Sequence, residues 1–71
     1  MNFKPLKELI ENARLERGMS VEDLARAAEI PLELIQEFQK GNIRPGNDFL
    51  NKVDSVLKIG LEKLREARSK I

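Results

Sequence analysis

The sequence predicts an all-α fold, a compact bundle of five short helices in which helices 2 and 3 form a helix-turn-helix. Apolar residues recur at three- and four-residue intervals through most of the 71-residue chain, and no segment shows the pattern of a strand. Glycines and prolines fall between these periodic segments, where helices end or begin. A chain of this length forms one domain, so we expect residues 1–71 to share a single core.

Helix 1 is predicted over residues 5–17. Its apolar positions follow helical spacing and comprise Leu6, Leu9, Ile10 and Ala13. Pro5 suits the first turn of this helix, where its missing N–H leaves no hydrogen bond unmade. Gly18 takes a left-handed conformation at no steric cost, so the helix is expected to end there.

The helix-turn-helix is predicted over about residues 20–39. Ser20 is expected to cap helix 2, which has acidic residues in its first turn, where the helix dipole favours negative charge. Pro31 cannot continue a helix, so helix 2 should stop by about Ala28 or Glu29. Pro31 is instead predicted to open helix 3 at its first position. The inner faces of the two helices are predicted to comprise Leu24, Ala25, Ala28, Ile35 and Phe38.

Two more helices are predicted after a loop, GNIRPGND. Gly41 is expected to cap helix 3, and Asn47 or Asp48 is expected to cap helix 4. Helix 4 has a strong apolar stripe made of Phe49, Leu50, Val53, Val56 and Leu57. Gly60 interrupts that pattern, and the last helix is predicted over about residues 61–70.

A series of positions across residues 6–64 has a joint spacing that is more specific than any one of its members. The series comprises Leu6, Ile10, Arg14, the GMS segment at 18–20, the LA pair at 24–25, Ile30, Ile35, Phe38, Gly41, Pro45, Leu50, Val53, Leu57, Ile59, Leu61 and Leu64. It resembles the lambda-repressor-like, Cro/C1-type helix-turn-helix family of DNA-binding domains. The resemblance implies a transcription regulator, a Cro-like repressor or compact antitoxin, that binds double-stranded DNA as a dimer with helix 3 in the major groove.

The resemblance also implies which residues would touch DNA. By position, the base-facing residues would be Pro31, Leu32, Glu33, Gln36 and Glu37. The phosphate-contacting residues would be Ser20, Lys40, Asn42 and Arg44. Glu33 can accept a hydrogen bond from a cytosine amino group, Leu32 can pack on a thymine methyl group, and Gln36 can serve an adenine.

Three positions depart from the family's pattern. Val21 stands where many members have a glutamine that bridges phosphate and helix 3, and Glu29 stands where the turn often has glycine. Arg14 is present, but Gln39 replaces the glutamate that often pairs with it. If Arg14 is buried, we expect it to keep a hydrogen bond without charge compensation, which would lower stability.

The distribution of charge leaves a second interpretation open. Residues 31–39 have a net charge of −2 from Glu33 and Glu37, whereas the loop at residues 40–47 has +2 from one lysine and one arginine. A solvated acidic face is the simplest interpretation of the two glutamates. The alternative function is a protein-interaction module on the same scaffold, in which the acidic, leucine-bearing helix 3 docks on a basic or apolar partner. A third possibility, which the residues leave open, is that the sequence was designed on this fold.

Two sets of apolar residues could either belong to the core or form a contact with a partner. Leu34 is expected to complete the core under helix 3, and Leu32 is expected to lie half exposed. The candidates for a C-terminal or dimer contact are Leu61, Leu64 and Ile71. Leu61 and Leu64 are more simply explained as residues that close the core, which leaves Ile71 for contact with a second copy.

Composition excludes several classes of function. The chain has no cysteine and no histidine, which removes disulfides, thiolate metal sites, the usual zinc ligand and the usual general base. We therefore expect no enzyme, no metal and no cofactor. The absence of a long apolar run argues against a signal peptide and a membrane span, and predicts a cytoplasmic protein. Because the helix-turn-helix domain takes up the whole chain, we expect no separate effector-sensing domain.

Overall fold

The structure is a computed structural model that describes residues 3–70. This part of the chain contains five α-helices and no strand, which confirms the predicted all-α fold. The helices are α1 (Lys4–Glu16), α2 (Val21–Ala28), α3 (Leu32–Gln39), α4 (Asn47–Leu57) and α5 (Leu61–Ser69). They pack into a body of 26 × 23 × 20 Å.

One apolar core lies between the helices, and all five of them contribute to it. Its buried side chains are those of Phe3, Leu6, Ile10, Leu24, Ala25, Ala28, Ile30, Ile35, Phe38, Phe49, Leu50, Val53, Leu57 and Leu64. The predicted inner faces of α2 and α3 are therefore confirmed. The rings of Phe38 and Phe49 meet with their centroids 5.2 Å apart, which ties α3 to α4.

The predicted ends of the first three helices are confirmed with one exception. Gly18 and Gly41 have φ angles of 64° and 80°, so both supply the left-handed residue that follows a helix. Ser20 caps α2 as predicted. Pro31 is the N-cap of α3 and not its first helical residue, since its ψ of 135° is extended. Its carbonyl accepts the first hydrogen bond of the helix, from the N–H of Leu34 at 3.0 Å.

The predicted cap of α4 is wrong. The helix begins at Asn47, its N-cap is Gly46, and no side chain accepts a hydrogen bond from its first turn. The side chain of Asn47 instead accepts a hydrogen bond from Arg68 at 2.9 Å, and Asp48 pairs with Lys52 at 3.4 Å. Both side chains that were predicted as caps therefore make other contacts.

The core prediction for Leu34 is also wrong, because 39% of its surface is exposed. Leu32 is half-buried, as predicted, and packs against the core. Leu32 precedes the buried Ile35 by three residues and shares its side of the helix. Leu34 is adjacent to Ile35 in the chain and is therefore rotated by about 100° from it.

Two residues with side chains occupy the left-handed conformation at helix C-termini, Glu29 with a φ of 58° and Lys58 with a φ of 53°. An L-residue is strained there, whereas glycine is not. We therefore expect Glu29→Gly and Lys58→Gly each to raise the free energy of unfolding by about 1 kcal/mol, measured by urea denaturation. Glu29→Ala and Lys58→Ala are the controls, since they remove the charge but keep the strain. An equal gain in the alanine variants would contradict this backbone explanation.

Candidate nucleic-acid interface

Three of the five predicted base-facing residues are exposed, two of them on α3 and one at its N-cap. Pro31, Glu33 and Gln36 are exposed, whereas Leu32 and Glu37 are half-buried. Glu33, Gln36 and Glu37 stand three and four residues apart and therefore share one face of the helix. Glu33 and Gln36 are therefore the exposed polar side chains among the predicted base-facing residues.

Glu37 is engaged by another predicted contact residue. The Asn42 side-chain amide donates a hydrogen bond to the Glu37 carboxylate at 2.6 Å. The backbone N–H of Asn42 donates to the Glu37 carbonyl at 2.9 Å, just after the left-handed Gly41. Asn42 therefore closes the C-terminus of α3, a role that its place in a loop did not predict. A phosphate contact from Asn42 would use its second amide hydrogen.

Lys40 and Arg44 lie beside the C-terminal end of α3, on the loop that leads to α4. Both are exposed, and neither forms an ion pair within residues 3–70. Their charges are therefore available to a phosphate, which is what the resemblance to the helix-turn-helix family implies.

The loop that carries Arg44 is anchored at its far end. Pro45 is fully buried, and its carbonyl accepts a hydrogen bond from Arg68 of α5 at 3.3 Å. The same Arg68 nitrogen donates to Asn47 at 2.9 Å. Arg68 thereby fixes the position of the loop relative to α5. No pattern in the sequence links residues this far apart, and the role of Arg68 was not predicted.

Ser20 contributes to a reciprocal cap at the N-terminus of α2. Its hydroxyl accepts a hydrogen bond from the N–H of Asp23 at 3.0 Å, and its own N–H donates to the Asp23 carboxylate at 3.1 Å. The Ser20 hydroxyl hydrogen remains able to reach a phosphate. The Asp23 carboxylate, however, partly cancels the positive end of the helix dipole at the same place.

This cap predicts a pH effect. The Ser20 N–H holds the pKa of Asp23 below its usual value, with smaller contributions from the Ser20 hydroxyl and Arg26. Since the folded pKa lies below the unfolded one, the carboxylate stabilises the fold above the unfolded pKa, and this contribution is lost as the pH falls through the folded pKa.

We expect Ser20→Ala to raise the pKa of Asp23 and to lower the free energy of unfolding by about 1 kcal/mol. The pKa is followed through the carboxyl carbon chemical shift of Asp23 in an NMR titration. Ser69→Ala, at the end of α5, is the control. Because Ser20→Ala keeps the backbone N–H, which is the largest cause, only the part of the pKa shift that comes from the hydroxyl should be lost. An unchanged Asp23 pKa would show that the Ser20 hydroxyl does not contribute to the shift.

Arg14 is largely withdrawn from solvent, with 12% of its side chain exposed. Its guanidinium donates a hydrogen bond to the Met19 carbonyl at 2.7 Å, which confirms the prediction that Arg14 keeps a hydrogen bond. The predicted loss of charge compensation is wrong, since the Glu11 carboxylate lies 3.6 Å away on the same helix. Val21 and Gln39, two of the departures from the family pattern, line a cavity of about 260 Å³ together with Arg14.

Of the three residues predicted for a C-terminal or dimer contact, two belong to the core and the third is the last residue of the chain. Leu64 is completely buried, and Leu61 is half-buried against the core, in agreement with their core interpretation. Leu64 therefore offers no surface to a second copy. Ile71 lies outside the described residues.

None of the helices within residues 3–70 is long and apolar enough to cross a membrane.

Comparison with known proteins shows what the chain is similar to. The chain is similar to multiprotein-bridging factor 1c of Arabidopsis thaliana, with 36% identity over 53 residues, or 75% of this chain. The matched residues make up 36% of that protein, so the chain corresponds to about a third of the length of its relative. No family model matches the chain, and no solved structure matches it significantly.

Proposed function

We propose that this protein is a sequence-specific DNA-binding regulator of transcription that inserts α3 into the major groove, as lambda-repressor-like helix-turn-helix domains do. The observation that carries the proposal is the arrangement of α2 and α3 around a three-residue turn, with the polar face of α3 directed to solvent. Glu33 and Gln36 are exposed on α3, and the exposed Lys40 and Arg44 follow α3 in the segment that leads to α4.

The charges of this surface support weak binding by one copy. Two exposed cations would neutralise two phosphates, and each contact contributes about −0.9 to the slope of log affinity against log salt. A single copy therefore has a slope of about −2, and a dimer on two half-sites about −4. Useful affinity requires the dimer. The proposed role is occupancy of a promoter by a cytoplasmic protein, as a repressor, without a catalytic step or cofactor.

One observation favours a second candidate function, a protein-interaction module. Leu34 is exposed beside Glu33 and the half-buried Glu37, so α3 presents an apolar side chain among carboxylates. Such a surface fits a basic partner with an apolar pocket. The relative's name, multiprotein-bridging factor, describes a protein that joins other proteins, which supports this candidate.

The test that separates the two functions is selection from a randomised pool of duplex DNA at low salt. We expect enrichment of one site in inverted repeat, and we expect Glu33→Ala to relax the preference at one position by about tenfold. Glu62→Ala, an exposed glutamate of α5, is the control and should keep the preference. A pool that shows no enrichment would overturn the DNA-binding proposal and favour the protein-interaction module.

A further inference from the structure

A second surface lies between α1 and the junction of α4 with α5. It is an open groove of about 510 Å³, and no residue of α2 or α3 lines it. Among the residues that line it, Leu9, Ala13 and Ile59 are half-buried and are called its floor, whereas Arg17, Lys58 and Lys63 are exposed and are called its edge. We refer to these six residues as the basic groove.

The basic groove has a surplus of positive charge. Arg17, Lys58 and Lys63 are all exposed, and Glu16 is the one carboxylate that lines the groove with them. The floor residues Leu9 and Ile59 pack against the core but remain partly exposed. The groove therefore presents both an attraction for carboxylates and an apolar strip that a partner can cover.

Hydrogen bonds hold the groove in shape. The Arg17 guanidinium donates to the Leu57 carbonyl at 2.8 Å and so joins the end of α1 to the end of α4. The Asp54 carboxylate accepts a hydrogen bond from the N–H of Gly60 at 2.6 Å, which fixes the junction of α4 and α5. The groove is thus formed by fixed backbone before any partner arrives, which reduces the ordering cost of binding.

Lys58 occupies the strained position of this junction. Its left-handed φ of 53° is one that glycine adopts without cost, and glycine is the usual residue at such helix ends. A charged side chain held in a sparsely populated backbone conformation is a reason to look for a role of that side chain. Here the lysine adds a positive charge to the edge of the groove.

We infer that the basic groove docks an acidic amphipathic segment of a partner protein. Apolar side chains of the segment cover Leu9 and Ile59, and its carboxylates pair with Lys58 and Lys63, as when an amphipathic helix lies in a groove. A nucleic-acid backbone also satisfies the cations, but its phosphates and sugars offer little to cover the apolar floor. Because α3 does not line the groove, such a partner and DNA can be bound at the same time.

The experiment is fluorescence anisotropy with a short labelled peptide that carries leucines on one helical face and glutamates on the other. We expect saturable binding that weakens as salt increases. Lys58→Gly should weaken it by about threefold, and Lys58→Gly combined with Lys63→Gln by about tenfold. Since Lys58→Gly is expected to stabilise the fold, weaker binding by this variant would not arise from unfolding.

Two controls make the result specific. Arg65→Gln removes an exposed cation two residues after Lys63, on the other side of α5, and should leave peptide binding unchanged. Lys58→Gly should leave the DNA preference of the protein unchanged, so failure of this inference is separable from failure of the proposed function.

Three outcomes would overturn the inference. The first is the absence of saturable binding. The second is equal binding of a peptide whose leucines are replaced by glutamine, which would make the groove a purely electrostatic surface. The third is displacement of the peptide by a DNA duplex whose binding depends on Lys58 and Lys63, which would make the groove a nucleic-acid surface.

Discussion

We expect Phe38→Ala to lower the free energy of unfolding by about 4 kcal/mol. The side chain is 2% exposed, and its ring packs on Phe49 with a centroid distance of 5.2 Å. The whole fold of a domain of this size is stable by about 5 kcal/mol, so the variant should lose most of its stability. The measurement is urea denaturation followed by far-UV circular dichroism.

Phe38→Leu is the matched variant, because it keeps an apolar side chain of similar size in the same place. It should cost about 1 kcal/mol. A loss below 1 kcal/mol in Phe38→Ala would contradict the role of this ring pair in holding α3 against α4. The consequence for function is direct, since the face of α3 that carries Glu33 and Gln36 is positioned by the buried face.

The second large effect is expected for DNA affinity in the double variant Lys40→Gln/Arg44→Gln. Loss of two phosphate contacts should weaken binding by about 100-fold per bound copy at about 0.1 M salt. It should make the log–log salt slope less negative by about 2 per bound copy, or about 4 for a dimer on two half-sites. Both side chains are exposed and form no ion pair within residues 3–70, so the fold should be unaffected. The measurement is a salt titration of binding to the selected duplex.

Arg65→Gln is the control for that titration, since it removes one exposed charge of α5 away from the candidate DNA interface. Its salt slope should stay within a few tenths of the wild-type value, apart from long-range charge effects. An unchanged slope in the double variant would show that Lys40 and Arg44 do not touch phosphate.

Helix boundaries could be predicted where local chemistry determines them. Gly18 and Gly41 end helices because glycine adopts the left-handed conformation, and Ser20 begins one because its side chain caps the first turn. The strain at Lys58 could not be predicted, because a lysine gives no signal of positive φ. The prediction that Asn47 caps helix 4 was wrong because its side chain accepts a hydrogen bond from Arg68, a residue far along the chain.

The sequence indicates which residues lie at the candidate site, but it does not indicate the contacts that they form. Exposure of Glu33 and Gln36 follows from the helical spacing of Ile35 and Phe38, and the structure confirms it. Leu34 was misplaced because it stands four residues before the buried Phe38, a spacing that also fits a core position.

The basic groove was missed for a related reason. Its cations come from α1, the end of α4 and α5, and charge counted segment by segment does not show that they meet. Arg17 and Leu57, whose hydrogen bond shapes the groove, are 40 residues apart in the chain.

The most direct test of the proposed DNA interface is an NMR titration of the labelled protein with the selected duplex. The proposal predicts that backbone amide shifts concentrate in α3 and the loop at residues 40–46, while the amides of Lys58 and Lys63 stay unchanged. Shifts confined to the basic groove, or no shift in α3 at saturating DNA, would contradict it.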